Sequence, residues 1–372
     1  MAAIAVAAIS ARMLAQAATS EGLKVYALDC FGDRDTRAAA VQWLPIGTPA
    51  ALEIDGTALL DALQVLARRG GVQGWIAGAG FEARPEWLEA GAALLPLWGT
   101  AAANVRRVRD ARIFFACLDE HGIAHPSVRL EPPDTPGWLL KDGGGCGGWH
   151  IRRANVHELA PTTRHYWQRE AQGKPMSATF IANGRDAVVL GVNEQTVRPL
   201  GDRPFVFHGV VGPLPVANAL RRELTAIVRA LAETFTLRGM CSLDFLLDGE
   251  RLSVLEINPR PPASLALYPP AGWVQAHLRA CRVGELPAPL SPSNLTHGSE
   301  IVFSTCSLQL DSEAVAGIAA LSGTHDLPYA ASDFRAGDPL CSVSAQGSDA
   351  ISVKIALQRR IEALHKLLER MT

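Results

Sequence analysis

The sequence predicts an α/β protein, and three observations carry that expectation. Short apolar strands alternate with helices as far as about residue 100, glycines crowd behind Lys141, and the pattern shifts towards period two from 177 to 260. Four units are expected: an N-terminal parallel α/β domain (1–105), a small glycine-rich lid (106–170), a mixed α+β unit (171–300), and a β-rich extension with a terminal helix (301–372).

The opening is alanine-rich but lacks a basic segment before its apolar run, and Arg12 interrupts that run too early to span a membrane. Ala3 to Ile9 therefore reads as a buried parallel strand, Ser10 as the start of a helix carrying Met13, Leu14 and Ala17, and Lys24 to Leu28 as a second strand. VQWLPI at 41–46 and GWIAGAG at 74–80 continue the strands, with a helix between them over 58–70. Loops at the carboxyl ends of such strands, near Ser10 and Arg12, Asp29 to Asp35 and Gly78 to Glu82, are where the sheet would hold a ligand.

One helix is expected over Arg109 to His121, ended by Gly122. The stretch 127–170 has few core candidates and suits a mobile lid. CSLDFLL and RLSVLEI, joined by Asp248-Gly249-Glu250, form a hairpin signal after a helix over Arg221 to Thr236. A strand set follows at 299–309, and Leu357, Ile361, Leu364, Leu368 and Met371 make a terminal stripe that packs either on this chain or on a twin subunit.

With 372 residues and a formal net charge of -2, the chain builds a large core and gathers no polyanion through its overall field. Nucleic acid and membrane are not expected as partners. Seven scattered cysteines without CxxC spacing fit a reducing, cytoplasmic setting.

Alternation puts Glu256 and Asn258 on one face of the second hairpin strand, with Leu255 and Ile257 on the other. A three-residue loop sets Asp244 opposite Val254, leaving Glu256 a diagonal neighbour at roughly 7–8 Å. Oxygens of Asp, Glu and Asn from adjacent strands suit Mg²⁺, and Arg260 just beyond suits a phosphate or carboxylate; a solvated sheet face closed by a proline-rich turn is the alternative. Lys141 ends an apolar strand, and Gly143, Gly144, Gly145, Gly147 and Gly148 can bring amides against phosphate, although a glycine-rich hairpin turn reads equally from the pattern. Cys146 reads as a loop thiol rather than a nucleophile, His150 as a loop histidine or a phosphate contact, and His208 as a core or cleft histidine.

WLLKDGGGCGG (138–148), YWQREAQGKPMS (166–177), RGMCSLDFLL (238–247) and LEINPRPPAS (255–264), in that order, resemble the ATP-grasp superfamily of carboxylate-amine ligases. The resemblance implies the ATP-grasp architecture for the α/β units above. It also implies ATP and Mg²⁺ as cofactors and small-molecule carboxylate and amine substrates. By that resemblance Lys141 binds the α- and β-phosphates and the glycine loop covers the β- and γ-phosphates. Gln168, Arg169 and Ala171 form the adenine hinge, Asp244, Glu256 and Asn258 hold two Mg²⁺ ions, and Arg260 meets the transferred phosphoryl group or acyl phosphate. Two departures stand out: Ala111 replaces a lysine of many relatives, with Arg107, Arg109 or Arg112 as nearby substitutes, and no ribose-gripping glutamate follows Lys174 and Pro175.

ISARMLAQAA, LDCFGDRDT and AGAGFEARPEWL look like a narrower ATP-grasp subgroup tied to pterin and one-carbon cofactor synthesis in methylotrophs and methanogens, the setting of tetrahydromethanopterin. That likeness implies a small cofactor precursor or amino acid as substrate and nominates Ser10, Arg12, Asp33, Asp35 and Glu82 for its site. Read as bare residues, Ser10 is a helix cap, Arg12 a surface side chain and the aspartates turn formers. DFRAGDPLCSVSAQG looks like a segment of biotin-dependent carboxylases, without a biotin-attachment domain. The function implied is amide ligation through an acyl phosphate; a carboxylase or phosphoryl transferase, and a nucleotide-binding regulatory protein, are the alternatives.

Overall fold

A computed structural model describes residues 2–268, 272–289 and 295–370. Its N-terminal unit is a parallel sheet in the spatial order Gln42–Pro45, Lys24–Asp29, Ala3–Ala7, Val72–Ala77. The central strand is buried on both faces: Ile4 and Val6 share a core with Leu14 and Ala18, while Ala5 and Ala7 share the opposite one with Leu59 and Leu63. The strand stops at Ala7 rather than Ile9, and the helix Arg12–Ser20 does not start on Ser10. Ser10 is exposed and caps nothing; Ala11 holds the cap position, and its N–H donates to Asp29 Oδ2 at 2.9 Å from the neighbouring strand.

Residues 102–120 form two helices instead of one, Ala102–Arg109 and Ala111–Glu120. Asp110 causes the break, because its carboxylate accepts the amides of Arg112 and Ile113 and so starts a new helix. The lid is an antiparallel sheet ordered Val128–Arg129, His165–Arg169, Trp138–Asp142, Ile151–Arg153. Its own core is small: Trp138, Leu140 and Trp167.

An eight-stranded antiparallel sheet carries the rest, in the order Arg251–Asn258, Arg238–Asp248, Lys174–Asn183, Ala187–Leu200, Arg203–Gly212, Thr296–Phe303, Pro339–Gly347, Thr324–His325. The helix Asn218–Thr234 covers one face through Leu224, Ile227, Val228 and Leu231. The helix Trp273–Arg282 covers the other and meets the N-terminal unit. The terminal helix Ala350–Glu369 turns Val353, Leu357 and Leu364 into a core with the strands at 296–303 and 339–347, so the terminal stripe packs on its own chain; Met371 lies outside the described residues. No helix among the described residues is long and apolar enough to cross a membrane.

Candidate active site

Lys141 lies opposite Tyr166, and Leu139 opposite Gln168, in the lid sheet. Alternation then aims Lys141 and Gln168 to the same side, away from Trp138, Leu140 and Trp167. Lys141 Nζ donates to Gln168 Oε1 at 2.6 Å, and both residues are buried. Burial, reinforced by the charge of Arg109, pulls the lysine down to about 8 against the opposing pull of Glu256 and Asp244. Gln168 Nε2 is buried without a hydrogen-bond partner. A buried cation and an orphaned amide donor together favour an acceptor-rich, anionic ligand.

The glycine run is required by contact as well as by conformation. A Cβ on Gly148 would lie 1.8 Å from the Phe205 carbonyl oxygen at a φ of +78°, and one on Gly145 would meet the His150 ring at 2.0 Å. The hairpin tip docks on the large sheet through Phe207 N–H to Gly147 O at 2.9 Å, while Trp149 packs edge-on to Phe303. The expectation that all five glycine amides face phosphate needs correcting. Gly143 N–H donates to Arg164 O, and those of Gly144 and Gly145 donate to the Asp142 side chain and carbonyl. Only the amides of Gly147 and Gly148 carry no hydrogen bond among the described residues.

The hairpin brings the three proposed ligands together in a different register from the one expected. A bulge between Asp244 and Phe245 on one strand side, with Leu255 as the extra residue on the other, pairs Asp244 directly with Glu256 and Phe245 with Val254. The bulge also moves the core phase to Leu252, Val254 and Ile257, leaving Leu255 out of that core. Asn258 Nδ2 bridges Asp244 Oδ2 at 3.2 Å and Glu256 Oε1 at 3.4 Å. Burial and then the neighbouring Glu256 charge push the Asp244 carboxyl up, and its Oδ1 is buried with no partner. Glu256 is pushed up by burial too, but Arg109, His150 and Lys141 outweigh that and hold it low. Two facing carboxylates, one with an orphaned oxygen, beside an amide fit a hard divalent cation. No group of three His, Cys, Asp or Glu side chains with metal-site spacing occurs among the described residues, so the amide and water would complete such a shell.

Arg260 Nε donates to Glu82 Oε1 at 2.9 Å, and Glu82 Oε2 accepts the Gly80 amide at 2.8 Å. Burial raises the Glu82 carboxyl, yet Arg260 and Arg109 bring it below its ordinary range. Ala111 only packs against the core, and of the three neighbouring arginines Arg109 alone enters the cleft. Its Nε and Nη2 donate to the carbonyls of Gly143 and Gly145 at 2.7 and 2.5 Å, and Nη1 lies 3.3 Å from Glu256 Oε2. Arg107 instead caps Thr234 O, and Arg112 is exposed.

The remaining expected residues divide. Glu82 joins the cleft, whereas Arg12 binds the Asp326 carboxylate, and Asp35 accepts the Asp326 amide at 2.9 Å. Asp33 caps Thr36 at 2.7 Å and is raised to about 6, chiefly by burial and then by Asp326. Arg12 is therefore a half-buried ion-pair member, its side chain 12% exposed, rather than a surface residue. Arg169 is turned outward, with its guanidinium on Pro136 O and over the Trp138 ring, and its amide is committed to Ser127 O. Ala171 is exposed beside it. Burial raises Cys146 to about 12, which keeps it a neutral thiol, and lowers His150 to about 4 with Nδ1 orphaned. His208 takes the core role, Nδ1–H donating to Val206 O at 3.0 Å and its ring edge-on to Phe303.

Residues 108–264 match a sequence model of the ATP-grasp domain. No curated protein matches the chain by sequence. Among solved structures, the fold resembles Rhizobium etli pyruvate carboxylase (TM-score 0.68, 15% identity), over 96% of this chain but only 36% of that one. It resembles N5-carboxyaminoimidazole ribonucleotide synthetase from Thermotoga maritima over 97% of this chain and 98% of that one (TM-score 0.65, 14% identity). It resembles an L-amino acid ligase from Bacillus licheniformis over 97% of each chain (TM-score 0.68, 15% identity). At such identities the likeness establishes the fold.

Proposed function

We propose that this ATP-grasp protein is an ATP-dependent carboxylate-amine ligase. The observation that carries the reading is a buried cation, Lys141 with its Gln168 partner, beside a facing carboxylate pair, Asp244 and Glu256, in which the buried Asp244 Oδ1 has no hydrogen-bond partner. In this reading a substrate carboxylate takes the γ-phosphoryl group, and an amine then displaces phosphate from the acyl phosphate. Asp244, Glu256 and Asn258 would hold Mg²⁺, which when bound spreads and neutralises phosphate charge.

Lys141 contributes a buried ammonium whose proton an anionic ligand would hold more tightly, since burial is the main cause of its lowered pKa. Gln168 orients that ammonium and has a spare buried donor of its own. Arg260, steered by Glu82, offers two further guanidinium nitrogens at the end of the hairpin. The lid segment with Gly147 and Gly148 supplies amides and excludes water when seated on Phe205 and Phe207. No protein nucleophile is needed, in keeping with the neutral thiol of Cys146. We assign the substrate to small cofactor precursors or amino acids, the pterin-linked subgroup being the narrower form of that assignment, and the free thiols suit a cytoplasmic setting.

The test is ADP release with stoichiometric amide formation across a panel of acids and amines, alongside calorimetry of ATP with and without Mg²⁺. Binding should need Mg²⁺ and weaken in Lys141→Ala and Asp244→Asn. Turnover that depends on bicarbonate, or a stable phosphorylated product without an amine, would replace ligation with carboxylation or phosphoryl transfer. Tight binding without turnover would point to the regulatory reading.

A further inference from the structure

We propose that the chain carries a second anion site, remote in sequence from the cleft, that takes a small phosphorylated molecule. A cavity of about 300 Å³ opens between the terminal helix and the turn before the last strand of the large sheet, lined by Leu321, Ser322, Thr324, Ala356, Arg359 and Arg360. That volume is within the range of small-molecule sites. Neither guanidinium makes an ion pair or hydrogen bond among the described residues, nor does the Ser322 hydroxyl; Arg359 and Ser322 are exposed and Arg360 is half-buried. Two guanidinium side chains and a hydroxyl with no protein partner thus line one concavity, where a phosphate can accept from more than one of them and a single carboxylate offers fewer acceptors.

Arg360 is held in place by the backbone beneath it. A Cβ on Gly323 would lie 2.1 Å from Arg360 Nη1 and 2.6 Å from Ser344 O, and Gly323 has a φ of +77°. Glycine here lets the guanidinium rest across the turn instead of reaching for solvent. Leu321, Ala356 and Ala363 give the cavity an apolar wall, which suits the carbon part of a phosphorylated metabolite. The site also connects to the N-terminal unit. Thr324 and His325 pair with Val343 and Ser342, Arg360 acts on the His325 imidazole, and the next residue, Asp326, binds Arg12 at the head of the first helix.

The experiment is calorimetric titration of the full chain with inorganic phosphate and with ribose 5-phosphate. The Lys141→Ala variant serves as background, so that the cleft does not report. Saturable binding should fall at least about tenfold in Arg359→Gln and in Arg360→Gln. Ala363→Trp, which fills the cavity and leaves both charges, should abolish it for ribose 5-phosphate. Tighter binding of the sugar phosphate than of phosphate assigns the apolar wall to the ligand, and equal binding assigns the site to the bare anion. Unsaturable binding, or binding unchanged in both arginine variants with their thermal unfolding intact, overturns the proposal.

Discussion

Arg109 Nη1 sits 3.3 Å from Glu256 Oε2 while the same guanidinium holds the carbonyls of Gly143 and Gly145. One planar group thus ties the lid hairpin to the carboxylate pair. A single ammonium cannot span three acceptors set around a fork. Arg109→Lys should fold normally and lose about 10- to 100-fold in kcat/KM for ATP, the range for one or two charge-assisted hydrogen bonds. Steady-state kinetics with a verified substrate checks this; wild-type kcat/KM in the lysine variant would remove Arg109 from the role vacated at Ala111.

Gly148 tests whether the closed hairpin is the working state. A methyl group there runs into the Phe205 carbonyl at 1.8 Å, and the backbone is in the left-handed region at +78°. Gly148→Ala should leave global unfolding nearly unchanged, because the lid core of Trp138, Leu140 and Trp167 lies elsewhere. It should still raise the nucleotide KM and increase hydrogen exchange at Phe207, whose N–H loses Gly147 O. Unchanged exchange at Phe207 would mean that the hairpin seats by another route.

Glu256→Gln keeps the shape of the hairpin but removes the charge that both raises Asp244 and draws in Arg109. Turnover should fall by about a hundredfold or more, as expected when a ligand to a catalytic cation loses its charge. Stability should fall modestly, because the lost charge is the one Arg109 and Lys141 hold in the fold, and their attraction outweighs the repulsion from Asp244. Circular dichroism melting beside ADP release separates the two effects, and full turnover in this variant would overturn the cation assignment.

The legible parts of the cleft are those set by local pattern. Alternation placed Glu256 and Asn258 together, and Lys141 at the end of an apolar strand was readable because a charged residue closing such a run must find a partner. The bulge at Leu255 was not, since a two-against-one count leaves the hydrophobic pattern of seven residues almost unchanged. Arg109 looked like any arginine in the last turn of a helix, and only the fold of the lid brings Gly143 and Gly145 over it. Arg12 and Asp35 point to Asp326 for the same reason: a partner 291 residues from Asp35 leaves no local trace. The break at Asp110 was open to sequence reasoning, as an aspartate two residues before Arg112 is an N-cap signal.

His277 gives a prediction about stability and pH. It is fully buried, the Met240 amide donates to Nδ1 at 2.9 Å, and Nε2–H donates to the Trp98 carbonyl at 3.0 Å. Those two bonds fix the neutral tautomer and join the large sheet to the N-terminal unit. Burial lowers the imidazole to about 4, against about 6.5 for an exposed histidine. The unfolded chain therefore binds this proton before the folded one does, and stability is lost as pH falls from about 6.5 to about 4, levelling off below that. The full loss is about 3 kcal/mol by linkage. His277→Gln should be less stable at pH 7, because one of the two bonds is lost, yet its stability should fall less steeply between pH 6.5 and 4. Urea unfolding across that range decides it: the difference between the two slopes reports the His277 proton alone, and parallel curves would mean that the imidazole is charged, or free to charge, in the folded protein.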